Sequence, residues 1–150
     1  MDSDATHPYR FTDQIGYLLR RAYQRHVAIF QQAVPDSQLQ AAQFVVLCAI
    51  RERGRCQVKD IVEATSIDEP TVRGVVERLK WRQLVTATHE PGDARQMEIA
   101  LTPAGASLIE ETIPSAERIS ELTFGDLDAG ERATLVALLR KISGIASPGA

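Results

Sequence analysis

Between Asp68 and Thr102 the spacing of apolar residues changes period once, and that change narrows the folds open to this chain. Val72, Val75, Val76 and Leu79 recur three and four residues apart, as on one face of a helix. Leu84 to Thr88 and Gln96 to Thr102 instead alternate, as half-buried strands do. Asp68 is a good N-cap, and Pro70 suits the first helical turn, where its missing N–H has no partner to lose. A helix over about Glu69 to Arg82 therefore leads into a β-hairpin whose tip is Glu90-Pro-Gly-Asp-Ala-Arg.

The segment before it, Val58 to Ala64, reads as a short helix with Val58, Ile61 and Val62 apolar, followed by a turn through Thr65-Ser-Ile. Two short helices and then a hairpin form the grammar of a winged helix-turn-helix. Longer amphipathic helices flank it. Asp13 to Ala33, with Thr12 or Asp13 as N-cap, puts Ile15, Leu18, Leu19, Ala22, Ile29, Phe30 and Ala33 on one arc. After Pro35-Asp-Ser, Gln38 to Arg51 turns Phe44, Leu47, Cys48 and Ile50 inward and stops at Gly54. A helix from Pro103 to about Thr123 is expected to kink at Pro114, and a last one carries Leu135, Leu138, Leu139 and Ile142. The expected fold is mainly α, one domain over 1–150, with a winged helix-turn-helix lobe at 41–102 and extra helices at 1–40 and 103–150.

The net charge of −3 does not mark a nucleic-acid binder, but its distribution is uneven. Arg51 to Arg95 holds nine Lys and Arg against eight Asp and Glu, whereas Met97 to Ala150 holds four against eight. The middle of the chain is the part that can face phosphate. No apolar run approaches the ~20 residues of a membrane span, and the N-terminus lacks signal-peptide order, so a cytoplasmic protein is expected. No Gly-rich phosphate loop, HExxH or Gly-x-Ser-x-Gly motif points to an enzyme. His7, His26 and His89 are scattered, so neither a metal nor another cofactor is expected.

In a helix-turn-helix the second helix enters the major groove, and the side chains at its N-terminal half must be small, polar or cationic. Thr71, Arg73 and Gly74 occupy those places, with Ser66 and Pro70 at the approach. Arg78, Lys80 and Arg82 near the end can reach phosphates. Arg95 stands where a wing can enter the minor groove, and Asp93, two residues earlier, can hold its guanidinium.

Leu39-Gln-Ala-Ala-Gln-Phe, DEPTVRGVVERLKWRQLV from Asp68 and GDARQMEIALTPAG from Gly92 together resemble the MarR family of bacterial transcriptional regulators. The most specific part is Asp-x-Arg, five residues, then Leu-Thr-x-x-Gly. Two departures stand out: Arg82-Gln-Leu-Val replaces the common Lys-Gly-Leu-Val, and Glu69 puts an acid where neutral or basic residues are commoner. The resemblance implies a homodimer joined through its first and last helices, and hence a palindromic double-stranded operator. It also implies a small aromatic carboxylate effector bound where those helices meet the DNA-binding lobe. There His26 is the leading contact, with Tyr23, Arg20, Phe30 and Phe44 supplying a cation and flat walls. The stretch IGYLLRRAYQRHVAIFQ resembles the branch that represses nicotinate and related aromatic-acid breakdown and answers to a hydroxynicotinate.

Two alternatives stay open on the sequence. Cys48 or Cys56 would serve a redox-sensing regulator of the same fold, although the inward face holding Cys48 favours an inert thiol. A helical interaction module that does not bind DNA is the other.

Overall fold

The computed structural model describes residues 7–90 and 92–146, with the side chains of Glu90, Asp93, Ala94 and Arg95 outside that description. Six helices and one hairpin follow in the order α1 (Ile15–Ala33), α2 (Ala41–Arg53), α3 (Val58–Thr65), α4 (Glu69–Trp81), β1 (Val85–Glu90), β2 (Asp93–Leu101), α5 (Pro103–Phe124) and α6 (Ala129–Ser143). The architecture is a helical winged helix-turn-helix, as the change of period requires.

The start of α1 differs from expectation. Thr12 and Asp13 lie in a short 3-10 turn, Phe11–Asp13, and the N-cap is Gln14, whose side chain makes no cap bond and instead donates to Arg10 O at 3.2 Å. Helix α2 begins at Ala41, three residues later than expected, because Gln38 N–H is taken by Asp36 Oδ1 and the Gln40 and Gln43 side chains form a capping box. Asp68 caps α4 by accepting from Thr71 N–H at 2.8 Å. Thr102 does the same for α5 from Gly105 N–H at 3.1 Å, and α5 runs on through Pro114 to Phe124.

One core joins the elements. Phe30 from α1, Val34 at its C-cap, Leu47 and Ile50 from α2, Ile61, Val72, Val76 and Leu79 from α3 and α4, Val85 and Ile99 from the hairpin, and Ile109 and Ile119 from α5 form one buried cluster. Most of the arc expected on α1 is not in it. Ile15, Leu18 and Leu19 are exposed, and Phe30 is the only buried residue of that helix. On α6, Leu135, Leu138, Leu139 and Ile142 are exposed and no residue is buried. The periodicity of both helices is real, but nothing among the described residues of one chain covers these side chains. Arg132 fixes the turn between α5 and α6: it donates to Leu127 O at 2.8 Å and Gly125 O at 3.1 Å, pairs with Glu121, and lies 5.3 Å from the Phe124 ring centroid.

Candidate nucleic-acid interface and effector site

Helix α4 is held by its apolar face and offers the other. Val72, Val75, Val76 and Leu79 are buried, with Ile67 packed against the same core, while Thr71, Arg73, Gly74, Arg78 and Lys80 are exposed. Ser66 ends α3 in the left-handed region at φ 60°, which creates the sharp turn that delivers Pro70 to the start of α4. Glu69 lies one helical turn before Arg73, and its carboxylate holds the guanidinium at 3.3 Å. The acid that departs from the family pattern therefore tethers the cation most suited to a base edge, at the few tenths of a kcal/mol typical of an exposed pair.

Gly74 lies in the middle of α4, where a Cβ would meet nothing within 4 Å. No contact among the described residues requires glycine there, and in a helix interior glycine costs ~1 kcal/mol relative to alanine. Gly74→Ala is expected to raise the melting temperature by roughly 2–4 °C. It should also weaken operator binding, because the added methyl fills space open to a base or phosphate. Calorimetry and a gel-shift titration of the same variant check both halves.

Arg82 does not serve as a free phosphate contact. It donates to Asp36 at 2.5 Å from a partly buried position and so ties the loop between α1 and α2 to the end of α4. Burial pushes the Asp36 carboxyl up, but the Arg82 bond and the N–H groups of Gln38 and Leu39 outweigh that and hold it below the usual range. Next to this pair, an open groove of about 650 Å3 is lined by Gln40, Gln43, Arg78 and Trp81. Trp81, 86% exposed, is a prominent surface residue that periodicity alone did not single out. Gln83 adopts φ 61°, the left-handed region that favours glycine, so the Gln in Arg82-Gln-Leu-Val falls where a side chain is strained.

The hairpin is longer and less regular than expected. Asp93 and Arg95 belong to β2 and not to a loose tip, since Glu90 already pairs with Asp93. The next pair is His89 with Met97, so residues 94–96 have no counterpart and Arg95 lies in a bulge, a feature that bends a strand. The expected pairing of the Asp93 and Arg95 side chains lies outside the described residues. Cys56, between α2 and α3, forms a bridge with Ile99 through Cys56 N–H to Ile99 O at 3.0 Å and Ile99 N–H to Cys56 O at 2.7 Å. This contact anchors the base of the wing to the segment before α3.

Burial raises the pKa of both thiols, and with it the cost of forming a thiolate. A reactive redox centre needs the opposite shift. Among the described residues no group of three or more His, Cys, Asp and Glu side chains is placed to hold a metal ion.

The residues expected to receive an effector are only partly gathered. His26 is half-buried on α1, and its Nδ1 lies 2.9 Å from Thr123 Oγ1 on α5. Tyr23 is exposed one turn earlier, with its ring centroid 6.2 Å from that of His26. Phe30 is buried in the core at 6.2 Å from the half-buried Phe44. Arg20 lines a separate open groove of about 570 Å3 with Tyr17 and Arg21. A residue missed by sequence reading is Arg25, which donates to Thr123 O at 2.6 Å and Leu122 O at 3.1 Å, satisfying carbonyls at the end of α5. Nothing in the local pattern links positions 97 and 98 residues apart.

Comparison with known proteins agrees with this geometry. Residues 39–97 match the MarR family profile. The chain is 51% identical over 135 residues to the HTH-type transcriptional repressor NicR of Pseudomonas putida, covering 90% of this chain and 85% of that protein. It superposes with TM-score 0.86 and 56% identity on Bordetella bronchiseptica BpsR, from a study of how 6-hydroxynicotinic acid regulates that protein's DNA binding, covering 92% of this chain and 99% of the other. A mutant Escherichia coli MarR bound to operator DNA superposes with TM-score 0.77 at 26% identity, over 90% and 99% of the two chains.

Proposed function

This chain belongs to the MarR family of transcriptional regulators, and from that premise we propose that it is a homodimeric repressor released from a palindromic operator by a small aromatic acid such as a hydroxynicotinate. The observation that carries the reading is the open face of α4: a capped N-terminus presenting Thr71, Arg73 and Gly74, free of intramolecular packing and flanked by the hairpin. Arg78 and Lys80 meet phosphates, and the wing adds Asp93 and Arg95.

In this reading residues 41–102 read DNA, while 1–40 and 103–150 supply the dimerisation helices. Support comes from the uncovered apolar side chains of α1 and α6, which are unusual for a chain that works alone. His26, bonded to α5, and Tyr23 beside it sit where a ligand can bias the placement of the reading lobe. An effector that binds better to a spacing of the two recognition helices that misfits successive major grooves must lower DNA affinity by the factor that DNA lowers its own. Such a regulator works in the cytoplasm beside the DNA, and no described helix is long and apolar enough to cross a membrane.

The test selects binding sites from random duplexes, then titrates the recovered site at several salt concentrations. A palindromic consensus, affinity that falls steeply with salt, a loss of roughly tenfold or more with Arg95→Ala, and release by 6-hydroxynicotinate are expected. Failure to enrich any sequence at low salt would reject the operator reading.

A further inference from the structure

The contact between His26 and Thr123 does more than join two helices. Thr123 Oγ1 lies 2.8 Å from the carbonyl oxygen of Ile119, one turn earlier on α5. A carbonyl can only accept, so the single hydroxyl proton of Thr123 is spent on that bond. The same oxygen lies 2.9 Å from His26 Nδ1 and can then act there only as an acceptor. Nδ1 must supply the proton. In the neutral imidazole this leaves Nε2 bare, with a lone pair and no hydrogen.

Nε2 has no partner among the described residues, nor is it sealed in, since Arg82 Nη1 is the one side-chain nitrogen or oxygen there that is both buried and unpartnered. Burial lowers the pKa of the ring, which favours the neutral form near pH 7. Tyr23 places a second ring beside it, with the planes 31° apart.

We propose that the chain Ile119 O, Thr123 Oγ1, His26 Nδ1 fixes His26 as a hydrogen-bond acceptor at Nε2, so that the effector site selects aromatic acids bearing an O–H or N–H donor. The proposal rests on His26 belonging to the effector site. A carboxylate is acceptor-only and cannot pair with a bare Nε2, so the neutral histidine is not its counter-ion; the carboxylate turns to a cation, and the ring substituent turns to His26. A hydroxypyridine acid qualifies in either form, through its hydroxyl or through the ring N–H of the oxo tautomer. Nicotinate and benzoate have no such donor when ionised and leave Nε2 unsatisfied. Thr123 is then a positioning residue acting through the tautomer.

Nitrogen-15 NMR of the full-length protein without ligand reads the tautomer directly, and protonated Nδ1 with unprotonated Nε2 at His26 is expected. Calorimetric titration with 6-hydroxynicotinate and nicotinate, and with 4-hydroxybenzoate and benzoate, should favour the donor-bearing member of each pair by on the order of tenfold or more. Thr123→Val removes the relay at nearly constant volume and should let the Nε2–H tautomer appear while the preference collapses. Thr123→Ser should restore both. A proton on Nε2 in the wild type overturns the proposal without any variant. Equal binding of the paired acids, unaltered by Thr123→Val, overturns it while leaving an aromatic-acid effector standing. Binding of none of the four acids removes that effector reading and the proposal together.

Discussion

Gly105→Ala should destabilise the protein by about 3 kcal/mol, more than an ordinary surface change in a helix. Gly105 is in the first turn of α5, and a Cβ built there would fall inside the van der Waals shell of the Leu84 carbonyl oxygen, 3.1 Å from its carbon and 3.3 Å from Leu101 Cδ2. The obstacle is backbone and cannot swing aside. Leu84 is held by its own N–H to Leu79 O at 2.9 Å, and its carbonyl accepts from Thr102 N–H at 3.1 Å. Helix α5 is no freer to retreat: Thr102 Oγ1 donates to Gln83 O at 2.7 Å, and Arg51 pairs with Glu110 at 3.0 Å.

This close approach gives the Leu-Thr-x-x-Gly pattern a physical meaning. Leu101 ends β2, Thr102 caps α5, and the glycine three residues on lets α5 rest on the backbone of Leu84, just before β1. Thermal unfolding should show a drop of roughly 6–12 °C for Gly105→Ala, at ~2–4 °C per kcal/mol for a chain of this size. Ala106→Gly, at the exposed neighbouring position, should cost only about 1 kcal/mol. Equal losses at the two positions would mean that the contact at Leu84 yields.

The parts of the fold legible in the sequence are those set by local chemistry. Asp68 with Pro70 announces α4, Pro103 marks the start of α5, and the apolar spacing between them separates helix from hairpin. What was not legible depends on partners distant in the chain. The bulge holding Arg95 follows from His89 pairing with Met97, a register that alternation alone does not set. The bridge of Cys56 to Ile99 and the bond of His26 to Thr123 are likewise tertiary. Exposure of the α1 arc is a third kind of case: periodicity correctly marks Ile15, Leu18 and Leu19 as residues to be covered, but it does not say by which chain.

The largest expected effect on function lies at these uncovered helix faces. Leu138 and Ile142 lie one helical turn apart on α6 and are 53% and 61% exposed, so the double substitution Leu138→Asp and Ile142→Asp disturbs no core within one chain. Across a dimer interface the same change buries four carboxylates without partners, a cost that association cannot absorb. The variant is therefore expected to keep its helical circular dichroism while sedimenting as a monomer. A monomer grips one half-site and loses the intramolecular second contact, so affinity for a palindromic site should fall by on the order of 10²–10⁴ while binding to an isolated half-site stays unchanged. Replacing Glu131, an exposed cap residue of the same helix, with glutamine should leave the mass and the affinity as they were. A variant that remained dimeric with full affinity would place the interface elsewhere and leave the apolar faces of α1 and α6 in need of another occupant.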